Sequence, residues 1–133
     1  MSVWRKKAAE LFDIPFGTNQ HRTIYDVFQT LLQLVKEAHR LGDEEQLKNI
    51  YEYAGWCSSQ RAKHLWNAAG VSFYEHLVDD KLTCQAIPYW ITPEIFSKVK
   101  SLFKWRMKDD KAYQELVEEF NRVNGTSIEY KAE

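Results

Sequence analysis

Apolar residues recur along this chain at the spacing that lines one face of an α-helix. The first such run holds Trp4, Ala8 and Leu11–Phe12, with Ser2 placed to cap it. Asp13–Thr18 then breaks the pattern, because Pro15 and Gly17 disfavour a continuing helix. Thr23 opens a longer run through Ile24, Phe28, Leu31, Leu34/Val35, Ala38 and Leu41, with Asp26 in capping-box position. Gly42 closes it. Asp43 opens the next helix with Gln46 at the reciprocal position, and Leu47, Ile50/Tyr51, Ala54 and Cys57 follow. So short a joint predicts antiparallel neighbours.

Ser58–Ser59 predicts the cap of a fourth helix that reaches about Asp79. Leu65, Ala69, Phe73 and Leu77 form its main stripe, and Trp66, Val71, Tyr74 and Val78 widen the apolar coverage beyond one face. Ala68, Ala69 and Gly70 are small enough to let another helix approach closely. The expectation is a buried central helix with Glu75–His76 inside it. Asp80–Ile91 reads as the least regular stretch, interrupted by Pro88. Thr92-Pro93-Glu94 is a strong helix start: a capping threonine, a proline where its missing N–H does no harm, then an acid at the positive end. Ile95/Phe96, Val99, Leu102/Phe103 and Met107 continue it. Asp109 or Asp110 opens a last helix through Tyr113, Leu116/Val117, Phe120 and Val123, closed by Asn124-Gly125 with a frayed tail beyond. Only Thr126–Tyr130 resembles a strand, and it has no obvious mate. The expected fold is all-α: a compact helical bundle or short helical-repeat-like stack of about six helices. One helical domain is expected over 1–133.

Composition narrows the functional classes. A chain of 133 residues buries about two-thirds of its unfolded surface and needs no metal or disulfide to fold. With 18 basic and 19 acidic residues its net charge is −1, which does not point to nucleic acid or an anionic membrane. Lys98, Lys100, Lys104, Arg106 and Lys108 share their segment with Val99, Leu102, Phe103 and Met107, so they read as the wet face of an amphipathic helix. Cys57 and Cys84 sit among apolar residues and read as packing groups. The opening MSVWRKKAAELF lacks the apolar run of a secretory signal, and nothing approaches the ~18 apolar residues of a membrane span. The expected location is the cytoplasm.

Candidate chemistry is sparse. His21, His39, His64 and His76 include no pair at the spacing of a helical metal site, and His76 has only Asp79 or Asp80 within helical reach. The expected role of His76 is structural, its ring satisfied by an internal hydrogen bond. Cys57 next to Ser58–Ser59 lacks the glycines of a nucleophile elbow. No catalytic, cofactor or metal site is therefore expected, with an enzyme centred on Glu75 and His76 as the minor alternative. The five tryptophans and seven tyrosines are more informative, because such side chains concentrate at interfaces. Trp56, Tyr89, Trp90 and Trp105 fall near helix ends or in the irregular stretch, where they can edge a groove. Acids cluster at Asp43-Glu44-Glu45, at Asp79–Asp80, and at Glu115 with Glu118–Glu119. Helix-dipole chemistry accounts for the first cluster. The candidate partner-contact residues are Asp79, Asp80, Tyr89, Trp90, Trp105, Glu115, Glu118 and Glu119.

Val71-Ser72-Phe73-Tyr74-Glu75-His76-Leu77 and Trp90-Ile91-Thr92-Pro93-Glu94-Ile95-Phe96 together resemble a small uncharacterised all-α bacterial family with a VSF-x-EHL core and a later W-x-x-P-E-x-F segment. The likeness runs from about Thr23 to Phe120. Proteins of this kind resemble the immunity partners of bacterial toxin systems. That resemblance implies a cytosolic, non-enzymatic protein that blocks a cognate toxin domain, a basic nuclease among the candidates, with acids steering the encounter. A helical adaptor for another protein is the alternative.

Overall fold

The computed structural model describes residues 2–12 and 23–129. Among them are seven α-helices and one 3-10 helix, and no strand: α1 (Val3–Leu11), α2 (Ile24–Leu41), α3 (Glu44–Ser58), α4 (Lys63–Ser72), the 3-10 helix Tyr74–Asp79, α5 (Lys81–Trp90), α6 (Pro93–Met107) and α7 (Asp110–Asn124). The fold is all-α, and the chain groups into two compact units, Met1–Phe73 and Tyr74–Glu133.

Side-chain caps decide most helix starts, because an oxygen there satisfies N–H groups that have no partner inside the helix. Thr23 Oγ1 accepts from Asp26 N while Asp26 accepts from Thr23 N, the reciprocal box expected for α2. Asp43 accepts from Gln46 N, Thr92 from Ile95 N, and Asp109 from Lys111 N and Ala112 N. Gly42 and Gly125 close α2 and α7 with φ of 69° and 66°, a left-handed geometry that glycine adopts without steric cost. Lys108 ends α6 in the same region at φ 59°.

The first unit packs α2, α3 and α4 on one another, with α1 against α3. Ala68, Ala69 and Gly70 are buried, so α4 comes close to its neighbours as their small size predicts. Phe28 lies 5.7 Å, centroid to centroid, from both Tyr53 and Phe73, and Phe73 meets Tyr51 at 6.0 Å. The buried Tyr53 hydroxyl donates to the Trp4 carbonyl at 2.9 Å, and Asn49 Nδ2 donates to the Leu11 carbonyl at 3.3 Å. These bonds tie α1 to α3 by polar contacts as well as apolar ones.

In the second unit, the 3-10 helix and α7 both pack against α5 and α6. Phe96 stacks on Phe120 at 4.0 Å and tilts against Phe103 at 5.7 Å. The buried Thr83 hydroxyl donates to the Leu77 carbonyl, holding the 3-10 helix onto α5. Asn121 folds the following segment back: Nδ2 donates to the Ile128 carbonyl, and Oδ1 accepts from Thr126 Oγ1 and Ile128 N.

Several expectations change. Ser59 does not cap the fourth helix; it ends α3, its hydroxyl donating to the Gly55 and Trp56 carbonyls. Helix α4 begins after Ala62 with no side-chain cap and stops at Ser72, short of Asp79. Phe73 and Tyr74 are consecutive and both buried. A break at Phe73 followed by 3-10 winding, in which residues three apart eclipse, buries both and puts Tyr74 above Leu77. Phe73 and Leu77 are buried as expected, Phe73 at the break after α4 and Leu77 in the 3-10 helix. The stretch expected to be irregular contains α5, with Pro88 in its last turn. Ser2 stands at the start of α1 without a capping bond. The break at Asp13–Thr18, His21 and the last residues of the tail lie outside the described residues.

Candidate functional site

Helices α5 and α7 leave a cleft of about 320 Å³ between them. Cys84, Gln85 and Pro88 form its α5 wall; Ala112, Glu115, Leu116 and Glu119 form its α7 wall, and Met107 lies at the end of α6. The α7 residues follow helical spacing, so the face that buries Leu116 also presents Glu115 and Glu119 along one edge. The result is an apolar floor with carboxylates on one rim.

Pro88 lies in the opposite wall. Proline carries no N–H, so the Cys84 carbonyl loses the donor that residue 88 of an ordinary helix would supply. Helix α5 ends two residues after Pro88, and Asn124 Nδ2 donates to the Pro88 carbonyl, one of the carbonyls that the helix end leaves without a partner, at 2.9 Å. Glu119 is held by Arg122 through two bonds, at 2.8 and 2.6 Å, and this pairing keeps its carboxyl below the usual carboxylate range. Tyr89, next to Pro88, is 63% exposed and interacts with the Arg122 guanidinium. Glu115 is exposed and has no ion-pair partner among the described residues.

A separate polar cluster joins the 3-10 helix to α6. Arg106 donates to both Asp79 oxygens, Nε to Oδ1 at 2.9 Å and an Nη to Oδ2 at 2.8 Å. His76 Nδ1 lies 3.1 Å from Asp79 Oδ2, and its Nε2 lies 4.0 Å from Glu75. The Arg106 bonds, helped by His76, hold the Asp79 carboxyl below its ordinary value. The His76 ring is thus engaged by a neighbouring side chain. Glu75, His76, Asp79 and Arg106 act together as an ionic staple, a network the sequence did not bring together because Arg106 lies 27 residues from Asp79.

The candidate partner-contact residues therefore separate into distinct settings. Glu115 and Glu119 line the α5–α7 cleft, and Tyr89 follows Pro88 of its wall and meets the Arg122 that holds Glu119. Glu118 is exposed on α7 but does not line the cleft, and Trp105 is exposed on α6 at 65%. Trp90 is half-buried at the end of α5. Asp79 is committed to Arg106 and His76, while Asp80 caps α5 by accepting from Leu82 N and Thr83 N. Trp56 is half-buried, stacked on Tyr53 with the Lys7 ammonium 5.4 Å from its ring centre. The α5 wall of the cleft had no signal in the sequence, where Pro88 predicts an interruption and not a helix.

The cysteines differ in setting. Cys57 is fully buried, and burial pushes its thiol up to about 12. Cys84 is partly exposed in the cleft wall, its thiol also raised by burial. Among the described residues no group of His, Cys, Asp and Glu is arranged to hold a metal ion, and no helix is long and apolar enough to cross a membrane.

No curated protein and no solved structure matches the chain. Residues 5–106, from α1 to the arginine of the ionic staple, match a family model described as a domain of unknown function, and the chain belongs to that family, DUF7674.

Proposed function

We propose that this protein is a cytosolic immunity protein that binds a cognate bacterial toxin domain, occludes its active site and has no turnover of its own. The observation that supports it is the pairing of an exposed tyrosine, Tyr89, with an apolar cleft rimmed by Glu115 and Glu119. Tyrosines bury much area at low entropic cost, so an exposed one beside a preformed groove suits a recognition surface. Carboxylates around it speed encounter with a basic partner and disfavour acidic ones. A basic nuclease is the toxin class that such a rim suits. The toxin-specific part of the reading comes from the VSF-x-EHL and W-x-x-P-E-x-F resemblance.

The test is co-expression with the product of the adjacent gene, followed by light scattering and an assay of that product's activity. A 1:1 complex in which stoichiometric protein abolishes the activity supports the immunity role. A complex without inhibition favours an adaptor. A folded, monodisperse protein that binds no neighbour removes the reading.

A further inference from the structure

We infer that the α5–α7 cleft receives a basic side chain, arginine or lysine, presented with an adjacent apolar side chain by a protein partner. This deepens the protein-binding reading above and rests on it. The floor, made by Pro88, Leu116, Cys84, Ala112 and Met107, is apolar. The charged groups around it are the carboxylates of Glu115 and Glu119, with the Gln85 amide on the opposite wall. No lysine, arginine or histidine lines the cleft.

Such a site selects its occupant. An anion meets two carboxylates, and a wholly apolar group strips water from them without returning a hydrogen bond. Arginine and lysine carry donors and no acceptors on the head, and an apolar stem that can lie along the floor. The chain already shows the head-group chemistry, since Arg122 forks onto Glu119 from one turn away. That pair is exposed on both sides, 66% and 44%, and a surface pair of this kind exchanges partners at little cost. Glu115, without an ion-pair partner among the described residues, is the open position. The volume of about 320 Å³ exceeds what one basic side chain fills, which leaves room for an apolar neighbour. Tyr89 at the edge can then cover both.

The experiment is an amide NMR titration of the full chain with three probes: a capped peptide alternating leucine and arginine, its leucine–glutamate counterpart, and spermine. Saturable shifts at Gln85, Glu115 and Glu119 with the first peptide, and none with the second, support the assignment. Glu115→Gln with Glu119→Gln should weaken that peptide by about tenfold or more, since each lost carboxylate removes a charge-assisted hydrogen bond. Glu44→Gln with Glu45→Gln, at the exposed start of α3, should leave it unchanged. Equal binding of the two peptides, shifts confined to other helices, or spermine binding without peptide binding would each overturn the inference. A cognate complex unaffected by the double Glu→Gln variant defeats the cleft assignment and leaves the protein-binding reading standing. Absence of any cognate complex, with the peptide still seated in the cleft, does the reverse.

Discussion

The two units solve the same packing problem in different ways. In Met1–Phe73 the apolar faces close on one another: aromatic rings from α2 and α3 meet Phe73, and the buried Tyr53 hydroxyl is spent on an internal carbonyl. Tyr74–Glu133 is built from a 3-10 helix, a short α5 with a proline in its last turn, and two longer helices. Its elements are joined by polar devices: Thr83 to Leu77, Asn124 to Pro88, and Arg106 to Asp79. The α5–α7 cleft lies within this second unit. The first unit teaches what a closed core requires, the second what an open surface needs to stay ordered.

The largest expected effect breaks the first unit. Phe73→Ala should cost about 3–5 kcal/mol, the usual loss for a buried phenylalanine, measured by urea denaturation. Trp105→Ala, at an exposed position of the second unit, should stay within about 0.5 kcal/mol. Similar losses for the two variants would erase the contrast between core and surface aromatics.

A matched pair of hydroxyl deletions sharpens the comparison. Tyr53→Phe and Thr83→Val each leave a carbonyl without its side-chain donor, Trp4 in one unit and Leu77 in the other. Each should cost about 0.5–1.5 kcal/mol, the net worth of one intramolecular hydrogen bond. A neutral Thr83→Val would show that apolar packing alone holds the 3-10 helix to α5.

Thiol labelling separates the units without mutation. Cys57, with its thiol near 12 and no exposure, should alkylate at mildly alkaline pH only on unfolding. Cys84, partly exposed, should react first, though more slowly than a free thiol because its own pKa is raised. Mass spectrometry of timed samples reads the order, and Cys57 labelling ahead of Cys84 would contradict the closed core.

The smallest effect concerns pH. The folded-state pKa of Asp79 lies below its ordinary value, chiefly through Arg106. Its stabilising contribution is therefore complete above the ordinary aspartate pKa of about 3.9 and is lost as pH falls through the depressed value. Because the pair is partly exposed, the amount should be about 1 kcal/mol or less. Asp79→Asn should flatten that acid limb of the stability curve, and an unchanged limb would mean that Arg106 contributes no net stabilisation.

What the sequence by itself determined were features set within a turn or two of chain. Thr23 with Asp26, Asp43, Thr92 with Pro93, Asp109, and the two left-handed glycines are local, since a cap needs only a side-chain oxygen and nearby N–H groups. The all-α class and the burial of Phe73 and Leu77 followed from periodicity. Tertiary structure decided the rest, wherever a group had partners both near and far. Ser59 can bond forward as a cap or back to its own helix, and packing selected the latter. The backbone leaves α-helical winding after Ser72 and resumes as a 3-10 helix from Tyr74, a change that the apolar period of Leu65, Ala69, Phe73 and Leu77 did not signal. Pro88 stands inside the last turn of α5, and its carbonyl is met by Asn124, 36 residues on. Asp79 and Glu115 read alike as acids, yet one is fixed by an arginine on another helix and the other stands on the rim of a cleft. Local hydrogen-bonding chemistry places helix ends, but only the packing of distant segments determines which carboxylates remain available to a partner.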